Sequence, residues 1–166
     1  MSDKRKKIIA VFMAAVMLCT FTGASKVEAA GAADKVKNAC VAALKATGNK
    51  SKVKYTSKNA EEFDGISYKC EKKIEAVFIV TSENAAYSIC VAQSKTSKDA
   101  KALYQSFAAY KKSRIDDSYF KTDYTKAEQS VMKNAIYGRK GKFTWYISMS
   151  TKNKNIAGQT ALKKKL

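Results

Sequence analysis

Asp116-Asp117 and Glu61-Glu62 are the chain's two adjacent acidic pairs. Paired carboxylates are all that glycoside hydrolysis requires, one as acid and one as base or nucleophile. Neighbouring side chains point apart, however, and both pairs sit in polar, loop-like sequence where solvated acids belong. There is no histidine. Without it, the Ser-His and Cys-His nucleophile systems and the usual metalloprotease ligands are missing. The cysteines, Cys19, Cys40, Cys70 and Cys90, include no C-x-x-C spacing that would read as a zinc site. No Walker loop and no G-x-G-x-x-G phosphate cradle occurs, so nothing calls for a cofactor, and no catalytic residue is assigned.

A binding chemistry is better supplied. In "NAIYGRKGKFTWYISMS", Phe143, Trp145, Ile147 and Met149 alternate with Thr144, Tyr146, Ser148 and Ser150. The polar face of this hairpin collects Tyr137, Arg139, Lys142, Thr144 and Tyr146. Rings beside cations suit sugars, phosphates or bases, by stacking and charge-assisted hydrogen bonds. Tyr137, Arg139, Lys142 and Tyr146 are therefore the candidate ligand-binding residues. The competing expectation is that a helix covers this face and the tyrosines are core residues.

The elements that must position these residues follow from periodicity. Over 34–47, Val36, Cys40, Ala43, Leu44 and Thr47 share one helical face, with Asp34 as cap and Gly48 at the carboxyl end. Residues 48–65 read as loop, with a short helix near Glu61. "KIEAVFIVTSENAAYSICVAQS" predicts a hairpin turning at Glu83-Asn84, with Val80 opposite Tyr87 and Phe78 opposite Ile89. Apolar Val77 and Ile79 on the other face imply cover on both sides. A helix follows, capped by Thr96 or Ser97, with Ala100, Leu103, Phe107 and Tyr110 or Lys111 on one face. In the second hairpin, a turn at Lys140-Gly141 sets Ile136 opposite Trp145 and Gly138 beneath Phe143. A last helix from Asn153 to Leu166 is interrupted at Gly158. The fold class is α+β, an antiparallel sheet of two hairpins packed with helices in the order α-β-β-α-β-β-α. Trp145 and Phe107 are expected in one core.

The amino terminus supplies an address. Lys4, Arg5, Lys6 and Lys7 precede an apolar run, Ile8 to Thr22, that as a helix spans about 22 Å, short of the roughly 30 Å of a bilayer core. Val27-Glu28-Ala29 then offers a small-x-small cleavage site, so 1–29 reads as a secretory signal peptide and 30–166 as a single domain. Cys19 follows Leu18, not the small residue a lipid anchor needs. Cleavage removes five bases and two acids, which takes the net charge from +18 to about +15. Such an excess attracts polyanions: an anionic wall polymer, an anionic membrane surface or nucleic acid, which charge alone does not separate. Three cysteines survive cleavage, so one internal disulfide at most can form. Cys90 faces Val77 in the predicted hairpin, and a straight strand would put Cys70 roughly 23 Å from Cys90. A bridge needs Cα atoms about 4.4–6.8 Å apart, so Cys70 with Cys90 demands a chain reversal before Ile74.

The segments "IEAVFIV", "ALYQSFAAYKKSR" and "KNAIYGRKGKFTWYISMS", in this order, resemble the bacterial family called domain of unknown function 4358, small secreted proteins and lipoproteins of Gram-positive anaerobes. The resemblance covers most of the chain beyond Asp34. The chain departs from the family in lacking a lipobox and in its high lysine content. The family lends no activity and no catalytic residue. The reading is thus a secreted, non-catalytic binding or interaction module of the cell envelope. Its alternatives are a carboxylate-based extracellular enzyme acting on glycans, and a nucleic-acid-binding protein.

Overall fold

The computed structural model describes residues 23–166 for the backbone and 31–166 for side chains; the basic leader and apolar run of 1–22 lie outside them. The first helix, α1 (Gly23–Thr47), begins eleven residues before Asp34. Asp34 is therefore an interior residue and not the cap, because the alanine-rich stretch before it continues the helix without a break. The predicted face holds: Val36, Cys40, Ala43, Leu44 and Thr47 are all buried. Gly48 ends the helix at φ +78°, the left-handed conformation a helix terminus favours.

Strand β1 (Tyr55–Ser57) forms within the polar segment that reads as loop; it is a short edge strand. A 3₁₀ turn, Ala60–Glu62, and α2 (Tyr68–Glu71) lead into β2 (Ile74–Thr81) and β3 (Ser88–Ser94). These two pair antiparallel, but Val80 lies opposite Ile89 and Phe78 opposite Val91. The register differs by two from a Glu83-Asn84 turn because the connection is longer. Ser82 N donates to Tyr87 O (2.8 Å), Ser82 Oγ accepts from Tyr87 N, and Asn84 Oδ1 accepts from Ala86 N and Ser82 Oγ. A shift of two preserves the faces. Cys90 consequently lies opposite Ile79, not Val77.

Helix α3 (Ser97–Asp116) is capped by Thr96, whose hydroxyl accepts from Asp99 N, and it buries Ala100, Leu103, Phe107 and Tyr110. Two short helices, α4 (Phe120–Asp123) and α5 (Lys126–Lys133), then interrupt the predicted order. Arg114 holds this insert in place. Its Nη1 donates to Tyr110 Oη (2.7 Å) and its Nη2 to Tyr124 Oη (3.0 Å).

The second hairpin joins β4 (Ile136–Lys140) to β5 (Phe143–Ser148). Ile136 faces Ile147 and Gly138 faces Trp145, so the turn is Gly141-Lys142, one residue beyond the prediction. Gly141, at φ +59°, takes the position that requires a positive φ. Gly138 has its own reason: a Cβ there would come within 2.5 Å of the Trp145 ring. The last helix, α6 (Lys152–Lys163), runs through Gly158 without interruption. Gly158 is buried against α1, where a Cβ would meet Thr47 Cγ2 at 2.9 Å and Ala43 O at 3.3 Å. The glycine permits a close helix crossing where its weak helix propensity suggested a break.

The five strands form one antiparallel sheet in the order β1-β2-β3-β5-β4. Helices α1 and α6 cover one face, with Phe78, Val80, Ile89, Val91, Trp145 and Ile147 beneath them. Helix α3 covers the other, over Val77, Ile79, Cys90, Ala92 and Tyr146. Cover on both faces explains why β2 is apolar almost throughout. It also separates Trp145 from Phe107: both are fully buried, but in cores on opposite sides of the sheet.

Candidate functional site

Helix α3 runs antiparallel to β4 along the edge of the molecule, and three contacts tie them together. Arg139 Nη1 donates to Ser97 O (3.3 Å). The Tyr104 and Tyr137 rings meet edge-on, with centroids 5.1 Å apart. Lys111 Nζ donates to Ala135 O (2.6 Å). Positions 97, 104 and 111 recur every two helical turns, while 139 and 137 share one face of the strand and 135 immediately precedes it, so the contacts follow from the two periodicities. Lys101, exposed, lies one turn before Tyr104 on the same side of α3.

The result is a stripe on which cations flank an aromatic pair. Over fourteen helical residues it extends about 21 Å. Tyr104 is 37% exposed, Arg139 is exposed and Tyr137 is half-buried. Burial, followed by the charge of nearby Lys152, lowers the Lys111 pKa from its ordinary value. A negative ligand would offset that repulsion.

Of the four residues singled out in the sequence, the stripe contains Tyr137 and Arg139. Tyr146 is not available: it is 2% exposed and packs among Phe63, Phe107 and Tyr110 under α3. Burial raises its phenol pKa well above the ordinary tyrosine value. Thr144 is likewise covered, its hydroxyl donating to Ala100 O (3.2 Å). Lys142 belongs elsewhere, in a shallow cleft with Gly31, Ala32, Lys35, Glu75 and Gln93 on the α1 side of the sheet. The stripe gains Lys101, Tyr104 and Lys111 from α3. Their spacing beside the buried face 100, 103, 107 and 110 was visible in the sequence, but not which strand the helix would meet.

Both acidic pairs are exposed. Glu61 and Glu62 are exposed on the 3₁₀ turn capped by Asn59, Asp116 pairs with Lys112, and Asp117 Oδ1 accepts from Tyr119 N. No group of three or more histidine, cysteine or acidic side chains that could hold a metal ion occurs among the described residues. Cys40, Cys70 and Cys90 are free, buried thiols. Burial pushes the Cys40 and Cys90 pKa values upward, which suits packing and not nucleophilic chemistry. No described helix is long and apolar enough to cross a membrane.

No protein-family model, curated protein or solved structure matches the chain. The family resemblance noted in the sequence rests on the quoted segments alone.

Proposed function

We propose that the chain is exported and acts in the cell envelope as a non-catalytic module that binds an anionic polymer, with the stripe between α3 and β4 as its contact surface. The observation that carries this reading is the meeting of a large positive charge, +18 for the whole chain, with a surface where Lys101, Lys111 and Arg139 flank an aromatic pair, exposed Tyr104 and half-buried Tyr137. The leader at 1–29 and the resemblance to the domain of unknown function 4358 family support the envelope as the place of action. A wall polymer of repeating phosphates fits the geometry, since cations along an extended stripe can meet successive charges.

The test is binding of polyglycerol phosphate as a function of salt. If about six contacts form on a polymer as densely charged as duplex DNA, affinity falls about a thousandfold between 50 and 200 mM salt. A sparser polymer gives a shallower slope. Replacing Lys101 and Arg139 together with Gln should weaken binding and flatten the slope. Preference for duplex DNA or for anionic vesicles would redirect the assignment to nucleic acid or membrane. Salt-independent binding, or none at 50 mM salt, would refute it.

A further inference from the structure

We infer that β4 is an open docking edge that takes an acidic, extended polypeptide as a sixth strand, an inference that rests on the positive character of the stripe proposed above. The hairpin turn fixes the direction of every backbone group in β4. Gly141 has φ +59° and Lys142 does not have a positive φ, the combination of a two-residue type II′ turn. Its closing pair, Lys140 and Phe143, exchanges hydrogen bonds, and antiparallel pairing alternates from there. Gly138 with Trp145 and Ile136 with Ile147 are then the bonded pairs. Tyr137 and Arg139, opposite Tyr146 and Thr144, direct their N–H and C=O groups away from β5.

Those groups face outward because β4 ends the sheet. Among the described residues, no turn, loop or side-chain hydrogen bond ends on them. An edge strand with free donors and acceptors is a template for strand addition unless charge or a bulge blocks it. Here the charge selects the partner. Arg139 and Lys140 are exposed on the edge, with Lys111 beside it. A second copy pairing β4 with β4 would set like charges against each other, which is destabilising. An acidic strand instead gains both the backbone bonds and the charges. The opposite edge is also basic, with Lys54 and Lys58 flanking β1, but β1 has only three residues and offers fewer backbone groups to a partner.

The experiment compares an eight-residue peptide of alternating glutamate and threonine with its fully N-methylated analogue, which has the same charge but no amide donors. Methylation should weaken binding to the protein by about tenfold or more, because it removes the donors that would bond the outward carbonyls of Tyr137 and Arg139. With the unmodified peptide bound, amide hydrogen exchange should slow at Tyr137 and Arg139 and stay unchanged at Gly138 and Lys140, whose donors already serve β5. Arg139→Glu should also weaken the unmodified peptide. Equal binding of the two peptides, no binding of either, or no slowing at Tyr137 and Arg139 would overturn the strand-addition inference. Steep, salt-sensitive binding of polyglycerol phosphate in the same preparation would leave the polymer reading intact; its absence, with the peptide still bound and exchange still slowed at Tyr137 and Arg139, would remove the polymer reading alone.

Discussion

Gly138 and Trp145 act as one unit. The indole fills the space above the glycine, its Nε1 donates to Gln159 Oε1 (3.0 Å), and Lys163 Nζ lies 5.5 Å from the ring. Trp145→Ala should cost about 3–5 kcal/mol in denaturant unfolding. Gly138→Ala should cost about 1–3 kcal/mol by overpacking. Combining Gly138→Ala with Trp145→Phe, which lacks the clashing atoms, should destabilise by less than the sum of the two single changes. Tyr146 makes a pH prediction. Burial raises its folded-state pKa above the unfolded value of about 10. The neutral phenol is thus favoured by folding: this stability is complete below pH about 10 and is lost as pH rises through the folded value. Tyr146→Phe should flatten the alkaline loss of stability followed by circular dichroism. An unchanged alkaline slope would mean that Tyr146 titrates normally.

Elements are joined by contacts that sequence periodicity does not show. The crossing of α1 and α6 depends on Gly158, so Gly158→Leu should push the helices apart. Leucine is the better helix former by nearly 1 kcal/mol, so a net loss of about 1–3 kcal/mol in thermal or chemical unfolding would be a packing effect. Helix α5 begins with a capping box, in which the Thr125 hydroxyl accepts from Glu128 N and the Glu128 carboxylate accepts from Thr125 N. Asn84 Nδ2 also donates to Glu128 Oε1 (2.7 Å), which ties the insert to the first hairpin turn. Thr125→Ala should cost about 0.5–2 kcal/mol. The Thr125-x-x-Glu128 spacing is itself a helix-start signature, so the beginning of α5 is legible from local sequence alone.

For the whole molecule, export sets the largest test. The proposed cut after Ala29 falls within α1 of the uncut chain, yet Ala32, Val36, Ala39, Cys40 and Ala43 of its buried face all lie beyond it. Cleavage shortens the helix and leaves Asp34 near the new amino end, where a carboxylate favours the helix dipole. Amino-terminal sequencing of the secreted protein should begin at Ala30. Residues 30–166 expressed alone should unfold in one cooperative transition, and a broad one would mean that the earlier turns of α1 are required.

Local rules determined much of this protein. Helical spacing identified the buried faces of α1 and α3, strict alternation assigned the two faces of β5, and counting charges gave the basic balance. These depend on side-chain periodicity and composition, which a single strand or helix already contains. Registers were decided elsewhere. Alternation constrains a register only to steps of two, and the Ser82 and Asn84 hydrogen bonds and the Gly141 turn chose between the steps. The polar row of β5 misled because Thr144 and Ser148 satisfy their hydroxyls on the backbones of α3 and of the first hairpin, under cover instead of in water. Strand order, the split between the cores of Trp145 and Phe107, and the meeting of Tyr104 with Tyr137 belong to tertiary structure, because each depends on which distant element the chain brings alongside.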